Sequence, residues 1–384
     1  MERLLSLAGY FAVQMFCELM EEYLKKSIER KIQNRIRISE EEAVYLYTKA
    51  DLEDLRRWGR MAREAYHRPD RATYLIMRII NYTNVCVALC DYCAFYRLPN
   101  SPEGYVLSRD QIFEKIDEII GLGGDFVGFN GGFNPKLSID WYVSLFKDIR
   151  QKYGERIEFY GLTVAELMYV AKQTKCSYYD AARALKEAGN NWITGGGAEI
   201  LTNSFRQRHS PQKYTADDFI DAQEQIIRAG VQTTGTMVIG FDETIEERVE
   251  HLSRVRALQD RTDGGLFSFL SWSYKPDNTD LGGSELPHEE YWRHLAVSRI
   301  FLDNVKHMRT SVLTQNENAL KGLHFGADDF DIPFEDEVTQ KAGAVINKDL
   351  GAIIRQCRAE GFEPEFRRTA SDSRADFHER IGVL

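Results

Sequence analysis

Three of the six cysteines in this chain fall within eight residues, Cys86-Val-Ala-Leu-Cys90-Asp-Tyr92-Cys93. Thiolates are soft ligands suited to zinc, copper and iron–sulfur clusters, so a metal centre is the first reading. A closed structural zinc site takes four ligands, and no fourth Cys or His is nearby. The closest in sequence are His67, Cys176 and His209. Three thiolates without a fourth suit a [4Fe-4S] cluster held by three of its irons, with the last iron open to a small molecule. A zinc knuckle, a redox thiol group or three ordinary buried cysteines are the alternatives. Cys17, Cys176 and Cys357 stand alone and read as structural.

Other stretches place small residues beside polar ones. Asn130-Gly131-Gly132 follows an apolar run, and glycines let backbone approach a ligand closely; the alternative is a plain turn. Gly195-Gly-Gly-Ala-Glu199 fails the G-x-G-x-x-G phosphate-loop pattern, because position 200 is Ile. It fits backbone pressed on a ligand, with Glu199 reaching a ribose or an amino group. Gly235 to Glu243, through Gly240, closes another apolar run. Arg97 could hold a carboxylate by two parallel hydrogen bonds, and Trp272 and Tyr274 end a later run. Arg206 and Lys213 lie beyond the glycine run. His251 and Asp303 sit at helical surface spacing and read as packed or solvated side chains. No Ser-His-Asp nucleophile elbow is present.

The elements that must position these residues alternate. Phe16, Leu19, Met20, Tyr23, Leu24, Ile28 and Ile32 recur at helical spacing, for a helix on a membrane surface, on a partner, on a second subunit or on the body of the chain. Ser39-Glu-Glu-Glu42 and Thr244-Ile-Glu-Glu247 are capping boxes. Strands are expected at 73–80, 125–129, 156–162, 191–194, 231–239, 265–274 and 308–313. An eighth strand, or a short helix leading to it, is expected at 319–325, and a long helix from His288 to Lys306. Strands alternating with helices imply a parallel sheet. Seven or eight units predict a (β/α)8 TIM-type barrel, full or nearly closed, with its active site at the strands' C-terminal ends. A doubly wound open sheet is the alternative. The expected divisions are an N-terminal helical extension at 1–35, a helical lead-in at 36–72, the barrel at 73–330 and a C-terminal segment packed on it at 331–384.

The chain has 384 residues, 43% hydrophobic and 28% charged, and a net charge of −10. That is an ordinary globular composition, and the acidic balance argues against a nucleic-acid partner. The cysteines are clustered, unlike a secreted disulfide framework, so a reducing cytoplasmic setting is expected. The uncharged run from Leu4 to Cys17 is too short to span a bilayer, and no signal-peptide pattern accompanies it.

The C-x3-C-x2-C spacing, with Tyr92 before its last cysteine, resembles the radical S-adenosylmethionine (SAM) enzymes. Asn81-Tyr-Thr-Asn-Val-Cys86, Cys93-Ala-Phe-Tyr-Arg97 and Glu103-Gly-Tyr-Val-Leu-Ser108 narrow the resemblance. So do Gly195–Leu201, Ser210-Pro-Gln-Lys213 and Ser298-Arg-Ile-Phe-Leu-Asp-Asn304. Over roughly 36–368 the chain is similar to the cyclic dehypoxanthine futalosine synthase family of the futalosine route to menaquinone. That group also holds aminofutalosine synthase and two radical enzymes of deazaflavin synthesis.

The resemblance implies a [4Fe-4S] cluster on Cys86, Cys90 and Cys93, and SAM held near Tyr92, Asn130, Gly131, Gly132, Glu199 and Gly240. It implies a substrate with a benzoate-like and a sugar-like part, for which Arg97 and Trp272 are candidate contacts. In the family's reaction a 5'-deoxyadenosyl radical takes hydrogen from the sugar. The sugar carbon then adds to the benzoate ring, and loss of an electron and a proton leaves a spiro product. A one-electron donor, flavodoxin or ferredoxin, is implied as well, and a homodimer would occupy the first helix.

The chain also departs from the family pattern. Gln-Gly-Gly is here Asn130-Gly-Gly, followed by Phe133-Asn-Pro135. Val164-Ala-Glu166 is closer to aminofutalosine synthase, and Gly240-Phe-Asp-Glu243 replaces a Gly-His-Val-Glu. A catalytic base is not assigned. Aminofutalosine synthase, a diverged paralogue on a related substrate, and a non-enzymatic cluster scaffold or sensor are the alternatives.

Overall fold

Eight parallel strands close on themselves in the computed structural model, which describes residues 19–367. They are β1 (Arg71–Ile80), β2 (Phe126–Phe129), β3 (Glu158–Thr163), β4 (Trp192–Thr194), β5 (Gln232–Ile239), β6 (Leu266–Ser273), β7 (His307–Ser311) and β8 (Asp329–Pro333). Each pairs with the next, and β1 pairs with β8 on one edge and β2 on the other, so the barrel is fully closed. The (β/α)8 expectation holds, and the open doubly wound sheet is excluded.

Local chemistry sets the crossover helices. Ser39, Ser108, Thr163, Thr215 and Thr244 each begin a helix with a reciprocal capping box. Each box satisfies backbone N–H groups that the first turn leaves orphaned. Apolar faces such as Ile112, Ile116 and Ile119 are fully buried against the strands.

The C-terminal part of the chain differs most from the expected pattern. The helix from His288 ends at Phe301, not Lys306, so Asp303 and Asn304 lie in a turn. There Asp303 pairs with Arg37, and Asn304 donates to the Arg256 carbonyl. β7 stops at Ser311, whose hydroxyl caps the short helix Val312–Gln315. Residues 319–325 are helical, the second of the two expected options, and β8 follows at Asp329-Phe-Asp-Ile-Pro333. Its two aspartates lie buried in the barrel, inverting the hydrophobic pattern that marks a strand.

A ninth strand, β9 (Glu363–Phe366), pairs in parallel with Arg71–Tyr74 of β1. β2 pairs only with Met77–Ile80, so β9 takes the half of that β1 edge which β2 leaves open.

Residues 19–33 are helical. Ile28 and Ile32 are buried, whereas Leu19, Met20 and Tyr23 are 57%, 52% and 70% exposed. The second half docks on the two helices that follow, with Lys31 bound to Glu42 and Arg57 to Glu29. Residues 1–18, with Cys17, and 368–384 lie outside the described residues. No helix among the described residues is long and apolar enough to cross a membrane.

Candidate active site

A cavity of about 300 Å³ runs from the C-terminal rim into the barrel, and Cys86, Cys90 and Cys93 line it. The loop that carries them is held by backbone. Cys86 N–H donates to the Arg97 carbonyl (2.9 Å), Arg97 N–H to Asn84 (2.7 Å) and Asp91 N–H to His209 (3.2 Å). The Cys86 sulfur accepts from the N–H groups of Phe133 (3.3 Å) and Ala88 (3.4 Å). Such donors favour an anionic sulfur. Burial nevertheless pushes the Cys90 thiol up to about 12, and Cys86 and Cys93 upward as well. Thiolates there need a compensating cation, which an iron–sulfur centre supplies, so loading the site releases protons.

None of the candidate fourth ligands joins them in a single-ion site. His67 belongs to a trio with His307 and Asp328, whose ligand atoms all lie within 4.8 Å. Cys176 donates to the Ala171 carbonyl. His209 lies between Asp91 (3.0 Å) and Asp242 (2.7 Å). The donor set fits a cluster held by three thiolates.

Beside Cys86, Asn130, Gly131 and Gly132 line the cavity. A Cβ on Gly132 would stand 2.4 Å from the Val85 oxygen and 2.6 Å from Cys86 Cβ, so only glycine lets the two loops touch. Glu166 sets this segment from behind. Its Oε1 accepts from Gly131 N–H (2.8 Å) and the Tyr82 hydroxyl (2.6 Å), and its Oε2 from Thr163 N–H (2.9 Å). Burial raises its pKa against those hydrogen bonds. From sequence Glu166 was noted only within the Val164-Ala-Glu166 departure and not as a site residue, although Thr163-x-x-Glu166 is a legible capping box.

The glycine run brings Glu199 to the cavity with φ +41°, a left-handed backbone unusual for a non-glycine residue. Buried Arg206 sustains the turn by donating to the carbonyls of Ala198 (2.8 Å), Gly197 (3.3 Å) and Tyr214 (2.8 Å). Lys213 Nζ lies 3.2 Å from Glu199 and 3.4 Å from the Tyr92 hydroxyl. Burial alone would lower the lysine pKa, but Glu199 and Tyr92 outweigh it and raise it. Tyr92 and Trp272 also line the cavity.

Two sequence candidates fall outside the lining. Gly240 is not part of it, and its N–H donates to Glu243 (2.9 Å), while its neighbours Val238 and Phe241 do face the cavity. Arg97 turns away: its guanidinium binds Glu103 (2.5 Å) and the Tyr96 carbonyl (3.0 Å). An arginine paired within its own loop is not available as a carboxylate clamp. His251 is fully buried rather than at a surface position; it accepts from Leu201 N–H (2.9 Å), and burial lowers its pKa to about 3.

Sequence reasoning missed the inner part of the cavity. Phe126, Tyr160, Trp192 and Phe267 form its walls, with Arg309, Asp331, Asp336 and Arg367 among the polar residues. A charge inside a buried strand, as in Met308-Arg-Thr-Ser311, was the available signal.

Fold and site together define a closed parallel barrel whose rim carries three clustered cysteines at the mouth of a deep, aromatic-walled cavity. Residues 80–255 match the Radical SAM superfamily and 263–379 the CofH/MqnC C-terminal region. Cyclic dehypoxanthine futalosine synthase of Halalkalibacterium halodurans is 36% identical over 356 residues, 92% of this chain and 95% of that one. Aminodeoxyfutalosine synthase of Thermus thermophilus is 30% identical, over 85% of this chain and 90% of that one. The FeFe-hydrogenase maturase HydG from Carboxydothermus hydrogenoformans shares the fold with a TM-score of 0.69 at 16% identity, covering 94% of this chain and 83% of that one. The chain belongs to the radical SAM enzymes, in the CofH/MqnC family, which use a [4Fe-4S] cluster and SAM.

Proposed function

We propose that this protein cyclises dehypoxanthine futalosine through an intramolecular carbon–carbon bond. The observation that carries the reading is the 36% identity, nearly end to end, with a cyclic dehypoxanthine futalosine synthase. The deep cavity that the cysteines line supports it, because an intramolecular reaction needs one pocket that holds both reacting parts.

Cys86, Cys90 and Cys93 hold the cluster. When bound, the cluster and SAM supply a 5'-deoxyadenosyl radical, the chemistry no side chain provides. Asn130, Gly131 and Gly132 offer backbone to the amino group of SAM, and Glu166 keeps that backbone in place. Glu199, balanced by Lys213, would bind the ribose or the amino group, and the strand leading to Gly240 would flank the adenine. Tyr92 would pack beside the cluster, and Trp272 would wall the substrate. The aromatic interior excludes water from the substrate radical.

The reading also assigns a cytoplasmic setting and a one-electron donor of the flavodoxin or ferredoxin kind. A second subunit would cover exposed Leu19, Met20 and Tyr23.

Anaerobic reconstitution with iron and sulfide, then incubation with SAM, reductant and dehypoxanthine futalosine, tests the reading. A spiro product is expected. Formation of 5'-deoxyadenosine with that compound unconsumed rejects the substrate. The 30% relative and the Thr163-Val-Ala-Glu166 segment favour aminodeoxyfutalosine synthase as a second reading. Its substrate should be offered separately, since only the first gives a spiro product.

A further inference from the structure

We propose that Arg309, inside the cavity, is its specificity-determining cation and binds the carboxylate of an aryl carboxylate substrate. The proposal deepens, and rests on, the reading of this cavity as the substrate site.

Four charged residues meet inside the barrel. Asp329 is fully engaged: Arg367 donates from Nε to Oδ1 (2.8 Å) and from Nη2 to Oδ2, and Thr73 Oγ1 donates to Oδ1 (2.7 Å). Arg309 stands beside the same carboxylate, with Nε 3.0 Å from Asp329 Oδ2 and Nη2 3.4 Å from Asp331 Oδ1. Neither nitrogen makes a hydrogen bond, although both are buried. The Arg309 side chain is only 9% exposed and lines the cavity. Buried donors ordinarily find acceptors. A buried guanidinium with idle N–H groups at a cavity wall therefore points to an acceptor that arrives with a ligand.

Charge narrows the ligand to a monoanion. Two guanidiniums face two carboxylates and leave no spare positive charge, so the second charge of a dianion such as a phosphate monoester would go uncompensated. Asp331 is the adjustable member. Its Oδ1 has no hydrogen-bond partner, and burial, reinforced by Asp329, raises its pKa in spite of Arg309. With Asp331 protonated the group carries one net positive charge, which a single carboxylate neutralises. Carboxylate geometry also suits two parallel donors from one guanidinium.

The walls select the rest of the ligand. Phe126 and Tyr160 have ring centroids 5.7 Å apart, and Trp192 and Phe267 stand edge to face at 5.2 Å. They pack with Met77 and Ile79 into an apolar belt. A flat ring fits that belt and delivers its carboxylate to Arg309.

The test uses the full chain, with benzoate as probe and benzamide as its neutral counterpart, followed by calorimetry or ligand-observed NMR. Wild type should bind benzoate about tenfold or more tightly than benzamide, and R309Q should lose that preference. R309K should restore part of it. On turnover, R309Q should raise KM by a similar factor. Equal binding of the two probes by wild type overturns the proposal, as does an unchanged preference in folded R309Q. If R309Q fails to fold, D331N serves. It keeps Arg309 and removes the competing carboxylate, so it should retain the benzoate preference, and loss of that preference overturns the proposal. A benzoate preference that depends on Arg309, in a protein that leaves dehypoxanthine futalosine unconsumed, rejects the proposed function and sustains this inference.

Discussion

The two ends of the barrel hold similar residue types and use them oppositely. Around the N-terminal end of β7 and β8, polar groups are spent on one another. Asp328 accepts from Arg299 and from Met308 N–H (2.7 Å), and lies 2.8 Å from His307 and 3.3 Å from His67. The His67, His307 and Asp328 cluster has the spacing of a metal site, but Arg299 already supplies the positive charge a metal would bring. At the C-terminal rim the thiols, the glycine backbone and Glu199 are held in place by backbone hydrogen bonds and by residues behind them, and they face the cavity. Convergent pairing serves stability, whereas groups held apart around a space serve a ligand. This division between the ends matches that of parallel barrels in general.

The largest expected effect lies at the rim. Replacing Cys86, Cys90 or Cys93 with alanine should abolish cluster loading and 5'-deoxyadenosine formation. Iron analysis and product chromatography would show this, and thermal unfolding of the apoprotein should barely change. The opposite end should respond in the opposite sense. Asp328→Ala strands a buried guanidinium, and removing one partner of such a pair costs about 3–5 kcal/mol. Denaturant unfolding measures that loss, and iron bound per folded chain should stay at the wild-type value. A loss of cluster in D328A at equal folded fraction would break the contrast.

Gly132→Ala sharpens it, because the added Cβ would strike the Val85 carbonyl and Cys86 Cβ. Overpacking of this kind costs about 1–3 kcal/mol. Here the displaced atoms include Cys86, a proposed cluster ligand, so iron content should fall as well as stability.

The smallest effect concerns Glu247, which ties the helix Ile245–Arg261 to the loops of the rim. Burial alone would raise its pKa, but hydrogen bonds from Arg208, Ser204 and Thr244 N–H prevail and hold it at about 2, against 4.5 ordinarily. A depressed carboxylate stabilises fully above its unfolded pKa and loses that contribution as pH falls through the folded value. With Arg208 40% exposed, screening reduces the contribution to about 1–2 kcal/mol. E247Q should therefore be less stable than wild type at pH 6 and equal to it near pH 2. Denaturation curves across that range would show whether the gap closes.

Legibility in the sequence followed the range of the interactions. The cysteine trio, the glycine segments and the capping boxes at Ser39 and Thr244 are local patterns, and each stands where its spacing indicated. β8 was hidden because Asp329 and Asp331 face a charged interior, so its alternation carried the wrong sign. β9 was hidden because Glu363-Pro-Glu-Phe366 is a strand only by virtue of the open edge of β1. Arg97 looked free in one dimension, and its pairing with Glu103 depends on how the loop folds back.

The sequence by itself determined the helix starts, the alternation of strands and helices, and a ligand set within eight residues, since each depends on neighbours a few positions apart. Only the tertiary structure decided that the sheet closes, that Glu166 stands behind Gly131, and that Arg309, Asp331 and Arg367 meet inside the barrel. Those residues come from different strands and loops, and their charges acquire meaning only when burial removes water and leaves each with whatever partners the closed barrel provides.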